Sequence, residues 1–215
     1  SLLTQVVPNA SAPLLAELAP SAPRVRAQEL LVRHMNSLSE AEMLAASRKV
    51  ERALSDTVAP YQPPASQTSI AILGAGLSGI SLAAAFCADG VEDIAMLEKS
   101  DAIGGVWQHY GNSFSRVNVS GPGYQLPTAR ARARASIMHP YHHDVLADVL
   151  DVIQTHRLSS CIHLKTEVRS VAPGNEQLHG WVTFGLTNLT ATFETACKLV
   201  CVCTNRRLGA PREVS

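Results

Sequence analysis

The sequence has little charge and no excess of either sign. Its 18 Lys and Arg balance 18 Asp and Glu, and charged residues make up 17% of 215 positions. A chain without net charge offers no electrostatic footprint for nucleic acid or an acidic surface. Only four of the cations are lysine, a bias that a GC-rich coding sequence explains as well as any chemistry. No apolar run reaches the roughly 20 residues of a membrane span. Cysteine is sparse and odd in number: positions 87, 161, 197, 201 and 203 match neither a disulfide framework nor a zinc site. Cys201 and Cys203 alternate along a strand pattern and should share one face as small apolar residues. Reduced thiols point to an intracellular, reducing compartment: cytosol, or the stroma or matrix of an organelle. The chain starts at Ser1 rather than Met, so it is expected to be processed, trimmed or incomplete there, and no targeting peptide is recognisable.

Against this plain background one segment stands out. Ile70–Gly79 reads IAILGAGLSG and leads into ISLAAAFCADG. An apolar β-branched run enters a glycine-rich turn and then a helix-forming stretch, the pattern of a strand–turn–helix that binds a dinucleotide. Gly74 permits the tight turn, Gly76 lets a pyrophosphate approach bare backbone, and Gly79 lets helix and strand pack closely. The helix N-terminus then faces the phosphates with free N–H groups. A second apolar segment, Asp93–Leu97, ends in Glu98. A carboxylate at that strand tip accepts hydrogen bonds from an adenosine ribose and repels a 2′-phosphate, which favours FAD or NAD over NADP.

Glu98-Lys99-Ser100 runs on into Ala102–Trp107, AIGGVW. This spacing resembles the E-(K/R)-x-x-x-x-GG-x-W segment of the flavin-containing monooxygenases and their Baeyer–Villiger relatives. Adjacent glycines allow a second backbone approach to the pyrophosphate, and the tryptophan can cover part of the cofactor. The resemblance extends over about residues 68–212. It implies an α/β fold: a Rossmann-like FAD-binding domain with a parallel sheet and a small antiparallel β-meander. It also implies FAD as cofactor, held by Gly74, Gly76, Ser78, Gly79, Glu98, Lys99, Gly104, Gly105, Val106 and Trp107. The backbone of Val168 would contact adenine, Thr204 would lie at the end of the returning strand, and Asn118 in an N-x-S stretch with Ser120 would neighbour the flavin. The returning strand ends Cys203-Thr204-Asn205 where the family has A-T-G, and asparagine is the non-glycine residue most tolerant of such a turn.

The remainder organises around this unit. Residues 1–66 read as an N-terminal extension, with an arm over 1–23, a possible helix over Ala27–Asn36, and a helix of about 18 residues after Ser39. Ser39 and Glu42 form a capping box there, and Met43, Leu44, Val50 and Leu54 supply an apolar stripe. Pro63-Pro64 closes it. Protein partners are expected through residues 1–60. Residues 67–215 form the FAD-binding domain, incomplete relative to the family. Residues 108–140 lack periodicity and hold the alternating Arg130, Arg132 and Arg134, read as a solvated segment, with an anion-binding strip or protein-contact arm as the alternative. His139, His142, His143 and Asp144 start a helix to about His156, with Val145, Val149, Val152 and Ile153 on its core face, rather than a metal site. Strands follow over 162–164, 167–171, 181–186, 191–194 and 198–203, with a turn at Pro173-Gly174-Asn175.

In the family, NADPH reduces the flavin from a second glycine-rich site, and the sequence contains no second glycine triplet. The expected function is therefore FAD binding of the monooxygenase type, with NADPH used only if another segment or partner supplies its site. The alternative is a non-catalytic accessory subunit of a larger assembly, built on the same fold with a degenerate cofactor site. No catalytic acid, base, nucleophile or metal ligand stands out.

Overall fold

A computed structural model describes residues 38–58, 61–118, 124, 126, 139–174, 180–188 and 190–204. The arm over 1–23, the possible helix over 27–36, Ser120, the three arginines at 130, 132 and 134, Asn175 and Asn205 lie outside the described residues. The elements in chain order are α1 (Glu40–Thr57), β1 (Gln67–Leu73), α2 (Leu77–Ala88), β2 (Ile94–Leu97), the short α3 (Val106–His109) and α4 (His142–Thr155). After a 3-10 turn come β3 (Ile162–His163), β4 (Thr166–Pro173), β5 (Trp181–Thr187) and β6 (Ala191–Val202).

The six strands form one sheet in the order β3-β2-β1-β6-β5-β4. β3, β2, β1 and β6 run parallel, whereas β6, β5 and β4 form an antiparallel meander. The strands expected over 191–194 and 198–203 are a single strand. β6 pairs with β5 over its first half and with β1 over its second, and Ala196 and Cys197 are bordered on both sides. A register shift interrupts β4 between Val168 and Ser170, a bulge that leaves Arg169 unmatched.

Periodicity decides the core. Ile70 and Ile72 of β1 and Ile94 and Met96 of β2 face Ile80, Ala83 and Ala84 of α2, and Leu146, Val149, Val152 and Ile153 of α4, all buried. Helix α1 joins the same cluster through Val50 and Leu54. Its capping box is formed: the Ser39 hydroxyl accepts from Glu42 N–H, and the Glu42 carboxylate accepts from Ser39 N–H at 2.7 Å. The expected stripe is only partly right, because Leu44 is exposed while Ser47 is buried. The opposite sheet face packs Leu73, Ala95 and Leu97 against Val168, Phe193 and Val200, so the meander curls over that side. Among the described residues no helix is long and apolar enough to cross a membrane.

Candidate functional site

The ends of β1, β2 and β6 point the same way, and a cavity of ≈ 650 Å³ opens where they stop. Neighbours β2 and β6 leave β1 on opposite sides, and such a switch point is where open α/β sheets bind ligands. The turn from β1 to α2 supplies Gly74, Gly76 and Ser78. Glu98 and Lys99 follow β2, Gly104–Trp107 close one side, Thr166–Val171 of β4 line another, and Cys203 and Thr204 follow β6.

Backbone conformation explains the glycines. Gly74 has φ +103°, and a Cβ there would lie 3.2 Å from the Cys203 carbonyl oxygen. The turn is clamped between strands: Gly74 N–H donates to the Leu97 carbonyl at 2.8 Å, and Cys203 N–H donates to the Leu73 carbonyl at 2.9 Å. Gly105 has φ +57°, and its Cβ would sit 3.0 Å from Gly76 Cα. Two stretches of bare main chain thus touch at the cavity wall, tied by Gly104 N–H donating to the Ala75 carbonyl at 3.0 Å. Gly76 caps α2, and no side chain caps the helix there. Its first N–H groups therefore have no intrahelical partner, and with the helix dipole they suit a phosphate. A Cβ on Gly79 would lie 2.0 Å from the Gly74 carbonyl oxygen. That glycine lets α2 lie against β1 and does not line the cavity.

Glu98 is buried, with 8% of its surface exposed, and its carboxylate is held by three donors. Ala75 N–H donates to Oε2 at 2.8 Å. Ser100 donates to Oε1 through its N–H at 2.9 Å and its hydroxyl at 2.7 Å. Donors of this kind offset the cost of burying the charge. Two carboxylate oxygens offer about four acceptor directions, so capacity remains for a ligand hydroxyl. Lys99 and Arg169 bring positive charge to the lining. Arg169 pairs at 3.3 Å with Glu167 on the exposed rim, where ion pairs contribute little.

The Trp107 indole is half-buried on the cavity wall. Its Nε1–H donates to the Tyr124 hydroxyl at 2.8 Å, and the rings meet edge-on with centroids 5.6 Å apart. All the predicted cofactor contacts except Gly79 line the cavity. Asn118 is exposed and does not. Sequence reasoning missed Tyr124, His109 and Arg169; only the nearby bulge marks the last, and no periodicity signals the first two. His142, part of the histidine-rich run, turns inward and is spent on protein partners. All five cysteines are free thiols. Burial pushes each one up, Cys161 to about 12, where Cys87 adds to the effect.

The family model for NAD(P)-binding Rossmann-like domains matches residues 72–152, from β1 into α4. No curated protein matches the chain. Among solved structures, a polycyclic ketone monooxygenase from the thermophilic fungus Thermothelomyces thermophila superposes with a TM-score of 0.56 at 16% identity, over 77% of this chain and 27% of that one. An oxidized steroid monooxygenase bound to NADP gives 0.54 at 18% identity, over 64% and 26%. OTEMO in complex with FAD and NADP gives 0.50 at 17%, over 67% and 26%. The match thus spans about a quarter of each relative's length. The chain carries a Rossmann-like fold that also occurs in the steroid and polycyclic ketone monooxygenases.

Proposed function

We propose that this chain binds FAD in the cavity at the ends of β1, β2 and β6. The observation that carries the reading is the facing pair of bare backbones, Gly74–Ser78 and Gly104–Gly105, with a fixed carboxylate beside them. The first pair suits a diphosphate, and Glu98 suits a ribose diol. Val168 and its neighbours on β4 would border the adenine, and Trp107 with Tyr124 would wall the remaining volume. The named FAD complex of a structure with the same fold supports the same choice.

Bound FAD supplies two-electron and oxygen chemistry of the monooxygenase type. The chain's residues bind and orient it: α2 neutralises phosphate charge, Glu98 fixes the sugar and excludes a 2′-phosphate, and the Trp107 wall keeps water from one side. Reducing equivalents must come from a nicotinamide site that these residues do not build, since the sequence holds a single glycine triplet of this type.

A second reading, a cofactor-free accessory subunit, is favoured by one observation: Ala75 and Ser100 already occupy most of the acceptor capacity of Glu98. Titration with FAD, followed by calorimetry and by the visible flavin band retained after desalting, separates the two. We expect binding, and weakening by roughly tenfold or more in Glu98→Gln, because a hydrogen bond to a charged group contributes about 1.5–3 kcal/mol. A wild-type protein that takes up no FAD refutes the first reading and leaves the second.

A further inference from the structure

One buried side chain in the core is committed to the cavity wall from behind. His142, at the start of α4, is 1% exposed. Its Nε2 lies 2.8 Å from the Trp107 carbonyl oxygen. A carbonyl only accepts, so Nε2 carries the proton. Nδ1 faces the Ser47 hydroxyl of α1 at 3.4 Å, and Ser47 is also 1% exposed. The Glu51 carboxylate of α1 stands 4.0 Å from Nε2. The ring needs an empty space beside it: a Cβ on Gly111 would lie 2.4 Å from the Trp107 carbonyl oxygen and 2.6 Å from His142 Cδ2. The His142 ring also stands beside the indole itself, with ring centroids 6.5 Å apart; Trp107 lines the cavity, and its indole grips Tyr124.

We propose that His142 is a positioning residue: joined to Ser47 of α1 and to the Trp107 carbonyl, it fixes the indole wall of the nucleotide cavity, so that the N-terminal helix helps set how tightly the cavity holds its ligand. This rests on the FAD reading for the identity of the ligand but not for the contact itself. The His142 ring bonds Ser47 and Trp107, not Glu98 or the Gly74–Ser78 turn, which would hold the ribose and diphosphate in the proposed complex. A positioning role therefore predicts a selective loss, in which the part of the ligand bound by the glycine turn and Glu98 is spared.

The test uses the full chain with Trp181→Phe, which leaves Trp107 as its sole tryptophan. His142→Phe keeps the ring volume and removes both nitrogens, whereas His142→Gln restores a donor toward the carbonyl. Without ligand, acrylamide quenching of Trp107 should rise about twofold in His142→Phe as the wall loosens, and return toward the parent in His142→Gln. FAD affinity should fall about tenfold in His142→Phe and recover in His142→Gln, while ADP affinity stays within about twofold. Unchanged quenching in a folded His142→Phe overturns the proposal whether or not FAD binds. Equal losses for FAD and ADP overturn it too. Failure of the parent to bind FAD counts against the FAD reading alone, and the quenching result still decides the contact. If His142→Phe does not fold, Ser47→Ala carries the same test, with a smaller change of the same sign expected and no change overturning the proposal.

Discussion

Gly79→Ala puts the packing argument at its sharpest. Alanine is the better helix former by about 1 kcal/mol, so on propensity alone the variant should be more stable. The structure predicts the reverse. The added Cβ would lie 2.0 Å from the Gly74 carbonyl oxygen and 3.2 Å from its carbon, whereas a real Cβ essentially never comes within 3.0 Å of a neighbouring heavy atom. The obstacle is backbone, clamped between β2 and β6, and cannot swing aside. Helix α2 must retreat by roughly 1 Å from a close-packed interior, loosening Ile80, Ala83 and Ala84, which are 0% exposed. Overpacking of this kind costs about 1–3 kcal/mol, and the loosened contacts add to it. We expect a net loss of about 2–3 kcal/mol, a large share of a domain's 5–15 kcal/mol. Gly76→Ala is the control. Its Cβ would meet only Gly105 Cα, at an ordinary 3.7 Å, and the helix-capping change costs about 1 kcal/mol or less. That methyl stands where a phosphate would approach, so ligand affinity should fall while folding survives. Urea unfolding followed by circular dichroism, with calorimetric titration of FAD on both variants, reads the two effects apart. Gly79→Ala as stable as the parent would refute the packing argument, and undiminished affinity in Gly76→Ala would refute the phosphate cradle.

Two further outcomes follow from titratable groups. Burial tends to raise the Asp93 carboxyl, but hydrogen bonds from Ser69 and Thr68 and the charge of Lys198 hold it below its ordinary value. A lowered carboxyl stabilises the fold above its unfolded pKa of about 3.9 and loses that contribution as pH falls through the folded value. Asp93→Asn should therefore lower stability by about 1 kcal/mol at neutral pH, with the difference shrinking below about pH 4; a gap that stays constant to pH 3 contradicts this. The cysteines, raised by burial, should react slowly with iodoacetamide at pH 7.5 in the native state and quickly in urea. Fast native labelling of Cys161 would show that it is not shielded as described.

Much of the site could be read directly because its chemistry demands particular residues in particular order. Gly74, Gly76 and Glu98 are the residues that the proposed diphosphate and ribose contacts would require, and such requirements leave a spacing behind. Other parts leave none. Ser47 is a small polar residue on an alanine-rich helix, and nothing local says that it faces a histidine 95 residues away. Tyr124 lies in a stretch without periodicity, and its value comes only from meeting Trp107. The strands expected over 191–194 and 198–203 leave out Thr195, Ala196 and Cys197, which do not alternate in polarity. The structure buries all three where one strand changes partners, and a residue covered on both faces carries no period. Asn118 came from resemblance rather than from any local demand, and it lies on the surface.

The strand shared by the two halves of the sheet has a mechanical consequence. Because β6 is hydrogen-bonded to β5 at its start and to β1 at its end, an opening of the meander cannot stop at a seam. Strain on the hairpin travels along one continuous backbone to Cys203, which is bonded to Leu73 beside the glycine turn. Any protein that grasps the meander would hold a lever whose short arm ends at the mouth of the cavity.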